Sequence, residues 1–453
     1  MLQFILNNRL VETELSASSI LLDFVRNNQR LKGTKAGCRE GDCGACTVLV
    51  GTLEGKRMHY ISMASCLTPI GNVVGKHVVT IEGINLQSEL TPVQNALHVH
   101  GGTQCGFCTP GFVVSLTGFA INDQDKTTVT GKEAVAGNIC RCTGYKSIEN
   151  AINDIVNFVK EKPLIGTLDG LIETKLLPDY FRSIPERIKS LNTQISSSFG
   201  FIIGGGTDLY VQKPDETSKM TADFFLNRKE FKQIIETGGY IELGASVTVN
   251  DIMHSPLFLT YFPEIKDKFK LISSEQIRNV ATIAGNFVNA SPIGDLSIFF
   301  LALNAELFIS NGKGLERTVM LKDFFKSYKT LDLQKGEYIE KLRFVKPHNA
   351  YTFNFEKVSK RTYLDIASVN TAIYYSLEKN VVSDIHISGG GVAPIPKYFE
   401  KTRAYLMNKE LLPETIQKAS EILISEVSPI SDIRGSKEYK TMLLKQLFLC
   451  HFN

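Results

Sequence analysis

Nine cysteines stand in the sequence, and eight of them fall before position 143. Cys38, Cys43 and Cys46 follow a Cys-x4-Cys-x2-Cys pattern, with Cys66 further on. That is the spacing used to hold a 2Fe–2S cluster. The loop Gly37-Cys-Arg-Glu-Gly-Asp-Cys-Gly-Ala-Cys46 suits the chemistry. Three thiolates must converge on a small anionic object, and glycine and alanine let backbone N–H groups wrap closely round its sulfurs. Structural zinc is the alternative. It usually takes short cysteine pairs, which this glycine-rich loop with a distant fourth ligand matches less well.

A second set is Cys105-x2-Cys108 and Cys140-x-Cys142. In an extended segment residues i and i+2 point to the same side. Cys140 and Cys142 are therefore expected to share one iron, and Cys105 and Cys108 the other, with zinc again the alternative. Each pair precedes an expected helix start, near 110 and 147, where free N–H groups favour an anion. Cys450 has no partner and reads as an incidental thiol.

The elements that must position these thiols change character along the chain. LQFIL-NN-RLVE reads as a hairpin, and Ser18 is expected to cap a helix over 20–28. Residues 91–160 read as helices. Pro92 follows Thr91, Pro110 opens an apolar run, Thr130 to Glu133 has a capping-box pattern, and Ser147 opens a fourth helix. Residues 163–178, with Pro163, Gly166, Gly170 and Pro178, read as a linker. Strand and helix signals alternate through 179–345. Two strand-like runs (366–377 and 381–388) and two helices (413–426 and 436–449) close the chain.

Composition narrows the function. Apolar content is 43%, charged content 21% and net charge +3 over 453 residues. Nothing here predicts nucleic-acid or membrane binding. The start of the chain lacks a signal-peptide pattern, so a soluble cytoplasmic protein is expected. Clustered cysteines in such a protein point to metal rather than to disulfides.

Two further segments have the makings of a cofactor cradle. Phe201-Ile-Ile-Gly-Gly-Gly-Thr-Asp-Leu209 is an apolar run leading into a glycine turn. Successive N–H groups in such a turn can hold a diphosphate, although a plain turn explains it as well. Residues 280–295 pack small residues and hydroxyls around one carboxylate, Asp295, which could hold ribityl or ribose hydroxyls.

QCGFCTPGF (104–112), GNICRCTGY (137–145) and CREGDCGACTV (38–48) resemble the cluster motifs of the xanthine dehydrogenase and aldehyde oxidase family of molybdenum hydroxylases. The resemblance implies that all eight cysteines ligate two 2Fe–2S clusters, and that Gln104 lies near a partner's molybdopterin. Residues 201–209 and 280–295 resemble the family's FAD motifs. By that likeness Ile202, Ile203, Gly204, Gly205, Gly206, Thr207, Asp208 and Leu209 hold the FAD diphosphate. Thr282, Gly285, Asn286, Ser291 and Asp295 line the flavin or adenosine, and Ile339 and Lys357 align with two further contacts. ISDIRGSKEY (430–439) matches the family's last flavoprotein domain. Ile272 departs from the pattern, since the family often stacks a phenylalanine on the flavin there, which an aliphatic side chain cannot imitate.

The implied fold is multidomain α+β. It runs from a ferredoxin-like β-grasp domain (1–82) through a four-helix 2Fe–2S domain (83–162) and the linker (163–178). An α+β FAD-binding domain (179–345) and a C-terminal α+β flavoprotein domain (346–453) follow. The chain stops at Asn453 without a molybdopterin domain. The expectation is therefore that no substrate-oxidising catalytic residue lies on this chain, and that a large molybdopterin-binding subunit joins it in a dimer of heterodimers. Electrons from hypoxanthine or xanthine would then pass through the clusters to FAD and on to NAD+, or to oxygen. An aldehyde or N-heterocycle as the partner's substrate is a second reading. A zinc-stabilised binding protein with no redox role is a third.

Overall fold

The computed structural model describes residues 1–452 except 123–124, 163–166, 196–200, 315 and 349. The chain divides into two compact units. One comprises Met1–Phe224 with Ser274–Val280, and the other Phe225–Ser273 with Ala281–Asn453.

In the first unit the hairpin forms as its pattern predicts. Leu2–Leu6 pairs antiparallel with Arg9–Thr13, and Asn7 takes the left-handed conformation (φ 54°) that asparagine tolerates. Leu2–Leu6 also pairs in parallel with His77–Val79. The five-stranded sheet is completed by Thr47–Glu54 and Arg57–Ala64. The expected helix over 20–28 splits into Leu21–Asp23 and a π-helical turn, Phe24–Asn28. Ser18 does not cap it; its hydroxyl donates instead to the Met220 carbonyl.

Four helices follow, Pro92–Val99, Thr109–Ile121, Thr128–Ala134 and Lys146–Lys160. Thr91 and Gln94 form a reciprocal capping box at the first. At the third the box is Thr127 with Thr130, one turn before the expected place, because Thr130 is already at the third helical position. The fourth starts at Lys146, after Tyr145 in a left-handed conformation. Thr109–Ile121 is buried almost all round, whereas Lys146–Lys160 buries one stripe, Ile148, Ala151, Ile152, Ile155, Val156 and Val159. That spacing is the apolar face of an amphipathic helix. Of the expected linker, Pro163 and Gly166 lie outside the described residues. Leu168–Glu173 is a helix capped by Thr167, and its Leu171 and Ile172 join the same core. Phe201–Ile203 pairs in parallel with Ala222–Phe224.

The second unit holds an antiparallel sheet in the order Glu316–Met320, Glu306–Ser310, Tyr338–Val345, Tyr240–Gly244, Ile234–Thr237. Helices including Ile283–Asn289 and Asp295–Leu301 pack in a phenylalanine-rich core with Phe258, Phe299, Phe300 and Phe344. A four-stranded sheet, Tyr351–Val358, Val369–Glu378, Val381–Gly390 and Lys397–Tyr398, carries the closing helices Pro413–Ser425 and Lys437–Cys450. Among the described residues no helix is long and apolar enough to cross a membrane.

Candidate iron–sulfur and flavin sites

The loop that carries Cys38, Cys43 and Cys46 turns twice through left-handed glycines, Gly41 (φ 79°) and Gly44 (φ 65°). These turns aim backbone donors at sulfur. The Cys38 N–H points at Cys43 Sγ (3.4 Å) and the Glu40 N–H at Cys38 Sγ (3.3 Å). Cys66 enters from the short turn after Arg57–Ala64, and its sulfur lies 3.4 Å from that of Cys46, both buried.

In the second set the close sulfurs are Cys105 and Cys142, 3.7 Å apart, while Cys108 and Cys140 influence each other electrostatically. The expected sharing of one iron by Cys140 with Cys142 is therefore not the geometry found. Residues 141–143 bend rather than run extended, so Cys140 is buried and Cys142 exposed. The Thr143 N–H and hydroxyl both reach Cys140 Sγ, at 3.5 and 3.2 Å.

The electrostatics ask for a cation. Hydrogen bonding from Cys43 holds the Cys38 thiol down to about 5, while the same contact drives Cys43 up. The contact with Cys66 lowers Cys46 and raises Cys66. Burial opposes ionisation of Cys140, but the donors from Thr143 and the Cys142 N–H, with Cys108 beside it, together lower its pKa. Burial, with Cys140 beside it, pushes Cys108 up to about 12. In each of these pairs one sulfur is prepared as thiolate and the other holds back, because two adjacent anions repel. Iron bound to both sulfurs would remove that conflict, since a metal takes cysteine as thiolate. Four thiols in two close pairs are the donor set of a 2Fe–2S cluster, and both sets fit it. Among the described residues no group of three or more His, Cys, Asp or Glu side chains is set to hold a single metal ion.

The glycine segment lies in the first unit. Gly206 is left-handed (φ 84°), and a Cβ there would meet the Tyr210 ring at 2.9 Å. Asn72 donates to the Gly204 carbonyl at 3.0 Å, which holds the turn from outside. Ile202 and Ile203 lie in the preceding strand, Thr207 and Asp208 lead into the short helix Leu209–Gln212, and Gly205 is buried.

The second unit holds the other candidates. Thr282 caps Ile283–Asn289 by accepting from the Gly285 N–H at 3.2 Å. Asn286 Oδ1 accepts from the N–H and hydroxyl of Ser297, and Ser291 Oγ accepts from the Ile293 N–H. Asp295 is the centre of this group. Lys357 Nζ reaches its Oδ2 at 2.8 Å and Asn370 Nδ2 its Oδ1 at 2.6 Å. Lys357, with its side chain 1% exposed, also donates to the Leu271 carbonyl at 2.7 Å. Both oxygens of Asp295 are thus engaged, although a carboxylate keeps further lone pairs for a hydroxyl. Ile272 and Ile339 are buried in the apolar core. Asn370 was not singled out from sequence, where it is one asparagine in a strand-like run.

Family models match four stretches in order. These are a 2Fe–2S iron–sulfur cluster binding domain (4–71), a 2Fe–2S binding domain (80–153), an FAD binding domain in molybdopterin dehydrogenase (183–346) and a CO dehydrogenase flavoprotein C-terminal domain (354–452). The chain is 28% identical to the xanthine dehydrogenase of Emericella nidulans over 92% of its own length and 36% of that protein's. It is 29% identical to xanthine dehydrogenase 1 of Arabidopsis thaliana over 96% and 38%. It thus spans less than two-fifths of these relatives. Among solved structures, a chain of the carbon monoxide dehydrogenase from Hydrogenophaga pseudoflava, in a form lacking the Mo-pyranopterin moiety, is 27% identical. It covers 56% of this chain and 88% of its own, with a TM-score of 0.52.

Proposed function

We propose that this chain, whose domains are those of the iron–sulfur and FAD part of a molybdenum hydroxylase, is the electron-transfer subunit of a xanthine dehydrogenase. The observation that carries the redox role is one close thiol pair in each set, Cys46–Cys66 at 3.4 Å and Cys105–Cys142 at 3.7 Å. When bound, the clusters supply one-electron carriers and FAD a carrier that takes electrons singly and can release them as a pair. The chain's own residues do the placing. Cys38, Cys43, Cys46 and Cys66 hold the first cluster, and Cys105, Cys108, Cys140 and Cys142 the second. Amide donors such as Glu40 N–H stabilise charge on sulfur and tune its potential.

A large molybdopterin-binding partner oxidises the purine, and NAD+ takes the electrons from the flavin. The xanthine dehydrogenase relatives support the purine reading. The likeness to carbon monoxide dehydrogenase supports equally the second reading, in which the partner oxidises another small substrate such as an aldehyde or N-heterocycle. Anaerobic purification with co-purifying proteins tests both. Iron–sulfur and flavin bands in the visible spectrum and acid-labile sulfide are expected, together with a large co-purifying molybdenum-containing chain, and the complex is expected to reduce NAD+ with hypoxanthine. Protein without iron or flavin would overturn the redox role. Turnover of an aldehyde but not hypoxanthine would overturn only the purine assignment.

A further inference from the structure

The two cysteine loops are fastened to each other inside the first unit. The Cys43 carbonyl accepts a hydrogen bond from the Ile139 N–H at 3.0 Å. Cys43 belongs to one thiol set, and Ile139 immediately precedes Cys140 of the other. A single hydrogen bond therefore joins the backbone of a ligand in one loop to the neighbour of a ligand in the next. The contact is held by a buried polar knot. Asn138 Nδ2 donates to the Gly44 carbonyl at 3.0 Å, and Ser115 Oγ donates to Asn138 Oδ1 at 2.9 Å.

The third member of the knot comes from far along the chain. Gln276, 1% exposed, donates through Nε2 to Ser115 Oγ at 3.1 Å and to Asn138 Oδ1 at 3.0 Å. Its carbonyl oxygen packs over Gly137, where a Cβ would come within 2.3 Å. The residues beside it brace the first loop as well. Ile277 lies where a Cβ on Gly41 would meet it at 2.8 Å, and Asn279 Nδ2 donates to the Ser62 carbonyl at 2.9 Å. Ser274–Val280 thus belongs to the iron–sulfur unit in space, although in sequence it lies inside the stretch matched by the FAD-binding model.

An ordinary core glutamine satisfies itself on whatever backbone is near. This one spends its amide on the two side chains that fix Asn138, and Asn138 is what holds the second loop onto Gly44. We propose that Gln276 is a positioning residue for electron transfer between the two clusters, locking the Cys43 carbonyl onto the Ile139 N–H so that this hydrogen bond forms the short bridge between them. The inference rests on the two-cluster reading above. It adds no chemistry: one electron leaves the first carrier and reaches the second, and Gln276 is neither oxidised nor reduced. A buried hydrogen-bonded triangle of this kind holds its members in one geometry.

The test uses the full chain, purified anaerobically with its native partners, as wild type, Gln276→Met and Ser115→Ala. Methionine keeps the volume of glutamine but donates nothing; Ser115→Ala removes one corner and leaves the Gln276–Asn138 bond. Iron and sulfide are measured first, then the low-temperature EPR spectrum of the fully reduced protein and the midpoint potential of each cluster. With both clusters retained, Gln276→Met is expected to lose the spin–spin splitting between clusters and to shift the potential of the Cys105/Cys108/Cys140/Cys142 cluster. Ser115→Ala is expected to show a smaller change in the same direction. Wild-type splitting and potentials in Gln276→Met at full iron content would overturn the assignment. So would loss of iron from both variants, which would mark the knot as structural only. Wild-type protein without iron would instead sink the two-cluster reading itself.

Discussion

Gly44→Ala tests the packing of the two cysteine loops against each other. Gly44 is left-handed at φ 65°, and a Cβ there would lie 2.5 Å from the Gly137 carbonyl and 2.5 Å from Asn138 Nδ2. The left-handed backbone alone costs an alanine about 1–2 kcal/mol. Forcing a methyl against a backbone oxygen that cannot swing away adds about 1–3 kcal/mol. The sum is a loss of about 2–5 kcal/mol for the first unit. Gly55 separates the two contributions. It has nearly the same φ, 62°, with nothing within 4 Å of its Cβ position, so Gly55→Ala carries only the backbone part. Urea denaturation of both variants, followed through the iron–sulfur absorbance and far-UV circular dichroism, gives the two costs. Gly44→Ala is expected to be the more destabilised by about 1–3 kcal/mol and to bind less iron. Equal destabilisation with full iron in both would refute the close packing of residues 43–44 on residues 137–139.

Two buried histidines set the acid limb of stability. Burial holds His77 at about 3 and His451 at about 4, below the ordinary 6.5. Each stays neutral within a pair of hydrogen bonds, His77 with Tyr60 and Asn7, and His451 with Asn354 and Thr371. The unfolded chain binds protons below 6.5 that the folded chain refuses, so stability is full above that pH and falls as pH drops towards 4 and 3. At pH 5 each histidine is expected to cost about 2 kcal/mol relative to pH 7, and a urea midpoint unchanged between these pH values would contradict this. Lys357→Met leaves the Asp295 carboxylate part-buried without its cation, which is expected to cost about 3–5 kcal/mol. Thermal melting and bound-flavin content of that variant check it, and an unchanged melt would show that the ion pair contributes little. Thr91→Ala removes a reciprocal capping box and is expected to cost about 1 kcal/mol in the same urea assay.

The sequence alone determined the parts that rest on local covalent spacing. Cysteines five and three residues apart in a glycine-rich loop leave the chain few ways to fold except round a common centre. Thr91-Pro92 and the apolar stripe of 148–159 likewise carry their helix in consecutive residues. The four-domain order was legible because each domain is continuous in sequence over most of its length. What the sequence could not settle was anything decided between distant residues. The pairing of Cys105 with Cys142 rather than with Cys108 depends on a bend at 141–143, which the extended-strand rule does not foresee. Ser18 had the right chemistry for a cap but found the Met220 carbonyl instead. Asn370 became a partner of Asp295, and Gln276 of Ser115 and Asn138, only because packing brought them within hydrogen-bond reach. A buried polar atom must be satisfied by whatever donor the tertiary fold delivers, and that donor leaves no periodic trace in the chain.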